Sequence, residues 1–597
     1  MEREAKKMIN RKKISADFCV VGGGMAGICA AIAAAREGVK VVLMHERPVL
    51  GGNASSEIRM WVCGARGENN RETGILEEIM LENLYRNPTK NYYIWDTVLY
   101  DFILREENIT LLLNCTCMDA STETGSFADG RDLKITSVTG YQLTTQTFFD
   151  VEAKFFSDCS GDSILAPLTG AQFRIGREGR DEFGEDTHIE KSDNFTMGLS
   201  CLLQGRETER KVDFKAPSWS AKLTDEQVRS RGTDIYNSLE NYWYLELGGT
   251  RNTIDDTEEI TSDLIKLSIG MWDYIKNSGK FDADNWELEF LGFLAGKRES
   301  RRMLGEYTVT QNDITGDVIF DDTIAYGGWP LDDHFPHGFY HNGTPNTNFK
   351  TPAPYTLPYR ALYSKNVENL FFAGRNISMT HTAMSSIRVM ATCALLGQAV
   401  GTAAAIGTKH NLTPHGIYLE KMNELQQTLM NNDCFLPHKS RSISPFCIKN
   451  APFAELCNAE DRPNRIYQTT SCGISSENGK AIAYIVKLGF DVESVHIVFD
   501  SDLNRETQNG DPCERTHATR CNILLSSPVM HMPQTLCKDF RLDITDIDGK
   551  THSMVVRDNR KRHYDIPINK KVTAISLTPL SNWGESSRTN IFSFDFR

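Results

Sequence analysis

Gly22, Gly24 and Gly27 occupy the three glycine positions of a Gly-x-Gly-x-x-Gly run, a spacing that can hold a diphosphate. The first glycine permits a tight turn, the second lets backbone approach a pyrophosphate, and the third lets a helix pack close to the preceding strand. The flanks agree with that reading. Phe18 to Val21 is an apolar run that predicts a strand, and Ile28 to Ala35, after Met25 and Ala26, is small or apolar and predicts a helix. Its N-terminus would aim at phosphate. Gly38 ends the helix, and a second predicted strand, Val39 to Met44, delivers Glu46 about 20 residues along, where an acid takes ribose hydroxyls.

Further chemistry-bearing residues lie much later in the chain. His381 and Arg388 flank the start of a segment rich in Ala and Gly. An imidazole there can take a hydroxyl proton while a guanidinium holds an oxyanion or carboxylate. The alternatives are a helix cap or satisfied core group for His381, and charge balance with carboxylates such as Asp158 for Arg388. His334 is a third candidate, within GGWPLDDHFPHGFYHNGTPNTN. With His337 and His341 it suits substrate hydrogen bonding or loop packing; no rigid helix sets ligand geometry, so no metal is expected.

Beyond Glu46 the chain reads Glu46-Arg47-Pro48-Val49-Leu50-Gly51-Gly52-Asn53-Ala54-Ser55-Ser56. This resembles the glutathione-reductase-type FAD proteins, in which an ERxxxxGG stretch runs along the flavin side of the pyrophosphate. The resemblance implies cofactor contacts at Arg47, Gly52, Asn53, Ala54 and Ser55. Asp158-Cys159-Ser160-Gly161-Asp162, after a strand predicted over Val151 to Asp158, resembles the DATGD turn of the same superfamily and implies Gly161 and Asp162. A third strand, Val367 to Phe372, leads into Ala373-Gly374-Arg375 and a long helix predicted from about Ser386 to Ala405. In FAD proteins of this kind that helix points its N-terminus at the pyrimidine end of the flavin, which implies Gly374, Arg375, Ser386 and Val389 as further contacts.

The stretch from Ala373 to Ala405, together with GKRESRRMLGEYTVTQNDI, PYTLPYRAL and MWDYIKN, resembles the bacterial FAD-dependent oxidoreductase family over about residues 16 to 430. Its broader relatives are the succinate dehydrogenase and fumarate reductase flavoproteins. Where the superfamily usually has an acid after the last strand, this chain has Arg375 and Asn376. Arg298, Arg301 and Arg302 beside Glu299 predict a solvated or structural ion-pair network, with anionic substrate binding as the alternative. Cys115 and Cys117 share one face of an apolar strand and read as packing, although Cys117 is also counted among the cofactor contacts. Cys63, in MWVCGARG, reads as buried packing.

These segments need an α/β architecture: a discontinuous Rossmann-like FAD-binding domain (16–165 and 355–432), an inserted α+β substrate cap (166–354) and a C-terminal all-β sandwich (440–597). Gly397 and Gly401 permit tight helix packing, and Thr224 to Gln227 forms a capping box. Past a helix predicted over Tyr418 to Met430, short alternating strands at Val495 to Phe499, Phe540 to Ile544, Val572 to Leu577 and Ile591 to Phe596 suggest the sandwich. Its ending resembles discoidin-like jelly rolls, which implies carbohydrate binding or a structural or dimerising role.

A net charge of -14 would repel a phosphate backbone, so nucleic acid is not an expected partner. Fifteen Cys without a CxxC pair lack the usual spacing of zinc, iron–sulfur or disulfide frameworks. MEREAKKMINRKK has no apolar run, which predicts no membrane partner and a cytoplasmic location, or a periplasmic one if a signal sequence was removed. The resemblance implies an FAD-dependent oxidoreductase moving hydride between flavin N5 and a small polar substrate. The leading expectation is oxidation of a hydroxyl on a sugar or sugar acid, with an unidentified electron acceptor and a homo-oligomer as further expected partners. A fumarate-reductase-like reduction of an activated double bond and a non-catalytic carbohydrate-binding flavoprotein are the alternatives.

Overall fold

The computed structural model describes residues 9–127, 130–186, 189–463, 472–505 and 517–597. Strands β1 (Phe18–Val21), β2 (Val41–Met44), β3 (Ile109–Leu112), β4 (Phe155–Asp158) and β5 (Leu370–Phe372) form a parallel sheet in the order β5-β4-β1-β2-β3. All except β3 are buried along their whole length. A strand covered on both faces has no reason to alternate, which is why β1, β2 and β5 read as unbroken apolar runs, while β4 ends in the buried Ser157 and Asp158.

Helix α1 (Met25–Arg36) follows β1 directly and is buried through Ala35. The single helix expected from Ser386 is instead two: α2 (His381–Ile387) and α3 (Met390–His410), separated at Arg388 and the extended Val389. α3 is long and apolar enough to cross a membrane, yet 94% of that stretch is buried inside the molecule. It packs on α1 at backbone contact. A Cβ on Gly397 would stand 2.0 Å from the Ala26 carbonyl oxygen, and one on Gly401 2.1 Å from that of Ala30. Two glycines four residues apart therefore set how closely the helices approach.

Two other predicted elements divide. Val151 to Asp158 becomes Thr147–Glu152 and Phe155–Asp158, which belong to different sheets. Thr147–Glu152 joins Leu133–Gln142, Cys115–Thr124 and Asn10–Ser15 in a four-stranded sheet. Asn10–Ser15 is exposed and polar, so its sequence, NRKKIS, carries no apolar signal; it pairs parallel to Thr147–Glu152, with Arg11 Nη2 donating to Asp150 Oδ1 at 2.7 Å. Tyr418 to Met430 becomes Pro414–Glu420 and Met422–Asn431, with Lys421 between them.

Small two- and three-stranded sheets and the helix Thr257–Asn277 fill 166–354. The Thr224–Gln227 capping box forms as read. Past the short helix Pro445–Asn450, six strands among the described residues of the C-terminal region join antiparallel in one sheet, and its two longest strands, Ile482–Phe499 and His563–Asn582, run through register shifts. Its core, including Phe490, Phe540 and Phe594, extends to Leu81 and Leu84 of the helix Ile75–Arg86. On that helix Glu77, wholly buried, pairs with Arg505. A buried carboxylate needs such a partner, so this contact ties the β region to the parallel-sheet layer.

Candidate active site

A cavity of about 590 Å³ opens along the C-terminal ends of the parallel strands. Gly22 to Ala26 follow β1, Glu46 and Arg47 follow β2, Cys159 to Asp162 follow β4, and Gly374 with Arg375 follow β5; all line it. Segments more than three hundred residues apart thus converge where open α/β sheets bind their ligands. Gly22 (φ 109°) and Gly374 (φ 121°) turn through the left-handed region that disfavours other residues. Gly24 serves a different purpose. A Cβ placed on it would meet no atom closer than Gly52 Cα at 4.0 Å, so its missing side chain leaves open space at the turn.

Charge at this end is organised around Asp162. Its Oδ1 accepts from Arg375 Nη2 and Ser300 Oγ, both at 2.8 Å, and its Oδ2 from Lys297 Nζ at 2.8 Å. Burial pushes the carboxyl upward, but Arg375 and Lys297 outweigh it and hold Asp162 below its ordinary range. Two cations on one carboxylate leave an excess positive charge, suited to a diphosphate. Asn53 also lines the cavity and donates Nδ2 to the Lys297 carbonyl at 3.0 Å, tying the loop after β2 to the cap.

Val389, Met390 and Cys393, at the start of α3, line the cavity, and the N-cap position Val389 makes no side-chain capping bond. The α3 dipole therefore favours negative charge at this wall. The N-terminus of α2 is occupied differently. His381 N donates to Glu178 Oε2 at 2.8 Å, and Thr380 Oγ1 donates to Glu185 Oε1 at 2.6 Å.

The far end of the cavity is lined by Trp61, Trp243 and Trp329 with Arg66, Arg298, Arg388, Asp332 and His334. The loop carrying Trp329 and His334 folds back on itself through pairings Leu331 with Phe349 and His334 with Asn346. His334 Nδ1 lies 2.6 Å from Glu246 Oε2, and its Nε2 lies 3.5 Å from Asp332 Oδ2. Burial raises the Glu246 carboxyl, but Arg298 and His334 prevail and keep it low. An ionised Glu246 can only accept, so Nδ1 carries a ring proton toward it, and Nε2, which faces Asp332 Oδ2 at the longer distance, is the more loosely held nitrogen. Asp332 is likewise held low, against burial, by His334 and Arg388. Arg388 Nη2 donates to Asp332 Oδ2 at 3.1 Å. His337 and His341 pack within the loop, His341 stacking on Phe335 at 3.8 Å between ring centroids.

The family model described as FAD dependent oxidoreductase matches residues 17–429. The chain belongs to the FAD dependent oxidoreductase family. No curated protein matches it in sequence. Solved structures similar to it include Thermovibrio ammonificans THI4, at 17% identity and TM-score 0.21, covering 28% of this chain and 66% of that one, just under two thirds. A geranylgeranyl bacteriochlorophyll reductase-like protein from Thermoplasma acidophilum shares 12% identity over 71% of this chain and 84% of that one, with TM-score 0.30. The FrdA subunit of E. coli quinol fumarate reductase shares 14% over 70% and 75%, with TM-score 0.27.

FAD is the cofactor of this family, and the cavity fits it. Gly24 leaves the space a Cβ would fill, Asp162 concentrates two cations there, and Arg375 Nε is a buried donor with no partner among the described residues. The residues that would hold FAD are those of the four strand-end turns, with Lys297 added from the strand Gly296–Lys297.

Several expected contacts in this oxidoreductase do not reach the cavity. Gly27 packs the helix onto the turn: a Cβ there would stand 1.8 Å from the Gly22 carbonyl oxygen. Ala54 is buried, and Ser55 Oγ turns back to the Gly52 carbonyl at 2.8 Å. Cys117 is buried on Cys115–Thr124 opposite Gly140, where burial pushes its thiol up to about 12. Ser386 Oγ is bonded to Tyr355 Oη at 2.6 Å and also donates to the Trp329 carbonyl, so it braces the wall from behind.

The expected base is also corrected. His381 is 1% exposed, with Nδ1 2.7 Å from Glu299 Oε2 and Nε2 3.0 Å from Asp333 Oδ1. Burial alone would lower its pKa, but Glu299 and Asp333 raise it to about 10. An imidazolium clamped at both nitrogens and absent from the cavity wall takes no proton from a substrate. Arg388 balances Asp332 and does not pair with Asp158, whose Oδ1 accepts from Ser160 and Asn376. The predicted arginine cluster divides: Arg302 is buried between Glu178 and Glu299, while Arg298 reaches the cavity. Cys63 is buried at the cavity wall, its thiol pushed up to about 12 by burial, which suppresses the reactive thiolate. Sequence reasoning missed Trp61, Arg66, Trp243, Lys297, Trp329 and Asp332. Only the last of these residues, with Trp329, carried a signal, the aromatic and acidic density of their loop.

Proposed function

We propose that this oxidoreductase oxidises a hydroxyl group on a small polyhydroxylated substrate, a sugar or sugar acid. The observation that carries the reading is the His334–Glu246 pair at the cavity wall. FAD, when bound, supplies a two-electron hydride acceptor. His334 Nε2 takes the hydroxyl proton, and ionised Glu246 orients the ring and stabilises the charge it gains. Three tryptophans offer flat apolar faces and exclude water, while Asp332, Asn346 and Arg388 supply planar hydrogen-bonding groups. The test is anaerobic bleaching of the yellow holoenzyme by a panel of polyols, aldoses and their acids, compared with His334→Gln. Bleaching by no hydroxyl compound, or by one whose rate is the same in His334→Gln, overturns the assignment.

A second reading, reduction of an activated double bond, is favoured by one feature. Arg298 and Arg388 share one end of the cavity, and Arg388 Nε has no partner among the described residues. Reoxidation of the reduced holoenzyme by an enoate would select that reading. We read the C-terminal β region as a discoidin-like unit that binds carbohydrate or joins two copies, with the parallel-sheet and cap regions as separate domains.

A further inference from the structure

The cations around the cavity are not equally engaged. Lys297 and Arg375 share Asp162, Arg47 stands beside Glu46 and Glu57, Arg298 beside Glu246, and Arg388 beside Asp332. Arg66 also lines the cavity, but its guanidinium has neither an ion pair nor a hydrogen bond among the described residues.

It is nevertheless held in place. The guanidinium carbon sits 4.4 Å from the centre of the Trp329 ring, itself part of the wall. Arg66 N donates to the Gly328 carbonyl at 3.1 Å, which fastens its backbone to the segment bearing that indole. A cation–π contact of this kind leaves the in-plane N–H groups free for a planar acceptor. Arg66 is exposed, so its N–H groups are reachable from solvent as well as from the cavity. Asn348, exposed on the same wall, adds an amide that makes no hydrogen bond among the described residues.

We infer that Arg66, stacked on Trp329, is a specificity-determining residue that binds a single carboxylate on the substrate, making that substrate a polyhydroxylated acid. One unmatched cation suits one negative charge, and a planar guanidinium suits a planar carboxylate. The choice of a hydroxy acid rests on the hydroxyl-oxidation reading above; the carboxylate site rests on charge and geometry alone.

The experiment uses the holoenzyme and a panel of aldonates and uronates, each matched with the neutral alditol or aldose that lacks the carboxylate. Binding is read anaerobically from perturbation of the flavin spectrum, and oxidation from bleaching. Each acid is expected to half-saturate at a concentration about ten-fold below its neutral match. Arg66→Ala is expected to remove that preference with FAD content unchanged, and Arg66→Lys to keep part of it. Equal half-saturation by acid and neutral match, acids unaffected by Arg66→Ala, or no response from any acid up to its solubility limit overturns the proposal. Neutral compounds that bleach while Arg66→Ala changes nothing would leave the hydroxyl-oxidation reading standing alone. Acids that perturb the spectrum without bleaching, and lose this in Arg66→Ala, would leave the carboxylate site standing alone.

Discussion

His334 and Glu246, 88 positions apart, meet with Nδ1 and Oε2 separated by 2.6 Å, the contact on which the proposed role of His334 as a base rests. His334→Gln is therefore expected to lower the rate of flavin reduction by substrate about 10²- to 10⁴-fold, the usual contribution of a general base. FAD content, read from the visible spectrum, should not change. Glu246→Gln should shift the pH profile of reduction, because a neutral amide cannot stabilise the imidazolium.

Gly24→Val is expected to give folded but colourless protein. The added side chain meets no protein atom closer than about 4 Å at its Cβ, so the protein tolerates it while the dinucleotide space does not. Circular dichroism should match wild type while the flavin absorbance per chain falls; full flavin content would show that the diphosphate does not pass over this turn.

Gly401→Ala should destabilise the fold. Its Cβ would stand 2.1 Å from the Ala30 carbonyl oxygen, a backbone atom that cannot swing aside, so α1 and α3 must separate. Overpacking of this kind costs about 1–3 kcal/mol, seen as a lower urea midpoint. An unchanged midpoint would mean that the two helices are not in backbone contact.

The His381–Glu299 pair predicts a specific pH dependence of stability. The folded state raises His381 to about 10, above the ordinary imidazole value near 6.5, so it binds the proton more tightly than the unfolded chain. The resulting stabilisation is fully present below about 6.5 and is lost as pH rises through about 10. Urea unfolding of wild type and His381→Gln should therefore differ most at about pH 6.5, narrow as the pH rises, and converge above pH 10. A gap that persists at high pH would mean the imidazolium is not the stabilising form.

Arg375→Ala should weaken FAD retention about ten-fold, since it removes one of the two cations on Asp162. Retention is read from the flavin released on dilution, and a loss equal to wild type would mean the diphosphate lies elsewhere.

The contacts that were legible are the local ones. Gly22, Gly24 and Glu46 could be placed because a glycine turn, its helix and the next strand lie within about thirty residues of each other and each leaves its own mark. That His334 lines the cavity while His381 is clamped behind it was not legible. Both histidines sit in polar, irregular sequence, and what separates them is Glu299 and Asp333 on one and Glu246 on the other, supplied 82, 48 and 88 positions away. Ser386 failed for a related reason: the break at Arg388 and Val389 moved the cavity-facing helix start to Met390.

Glycine spacing and apolar strand runs were enough to place the dinucleotide-binding layer and its cofactor class, because both are consequences of backbone geometry that any local stretch must satisfy. Only the tertiary structure decided the reacting end of the cavity. A side chain's protonation, partner and exposure depend on which distant residues surround it, and that surrounding exists only once residues 166–354 have packed against the parallel-sheet layer.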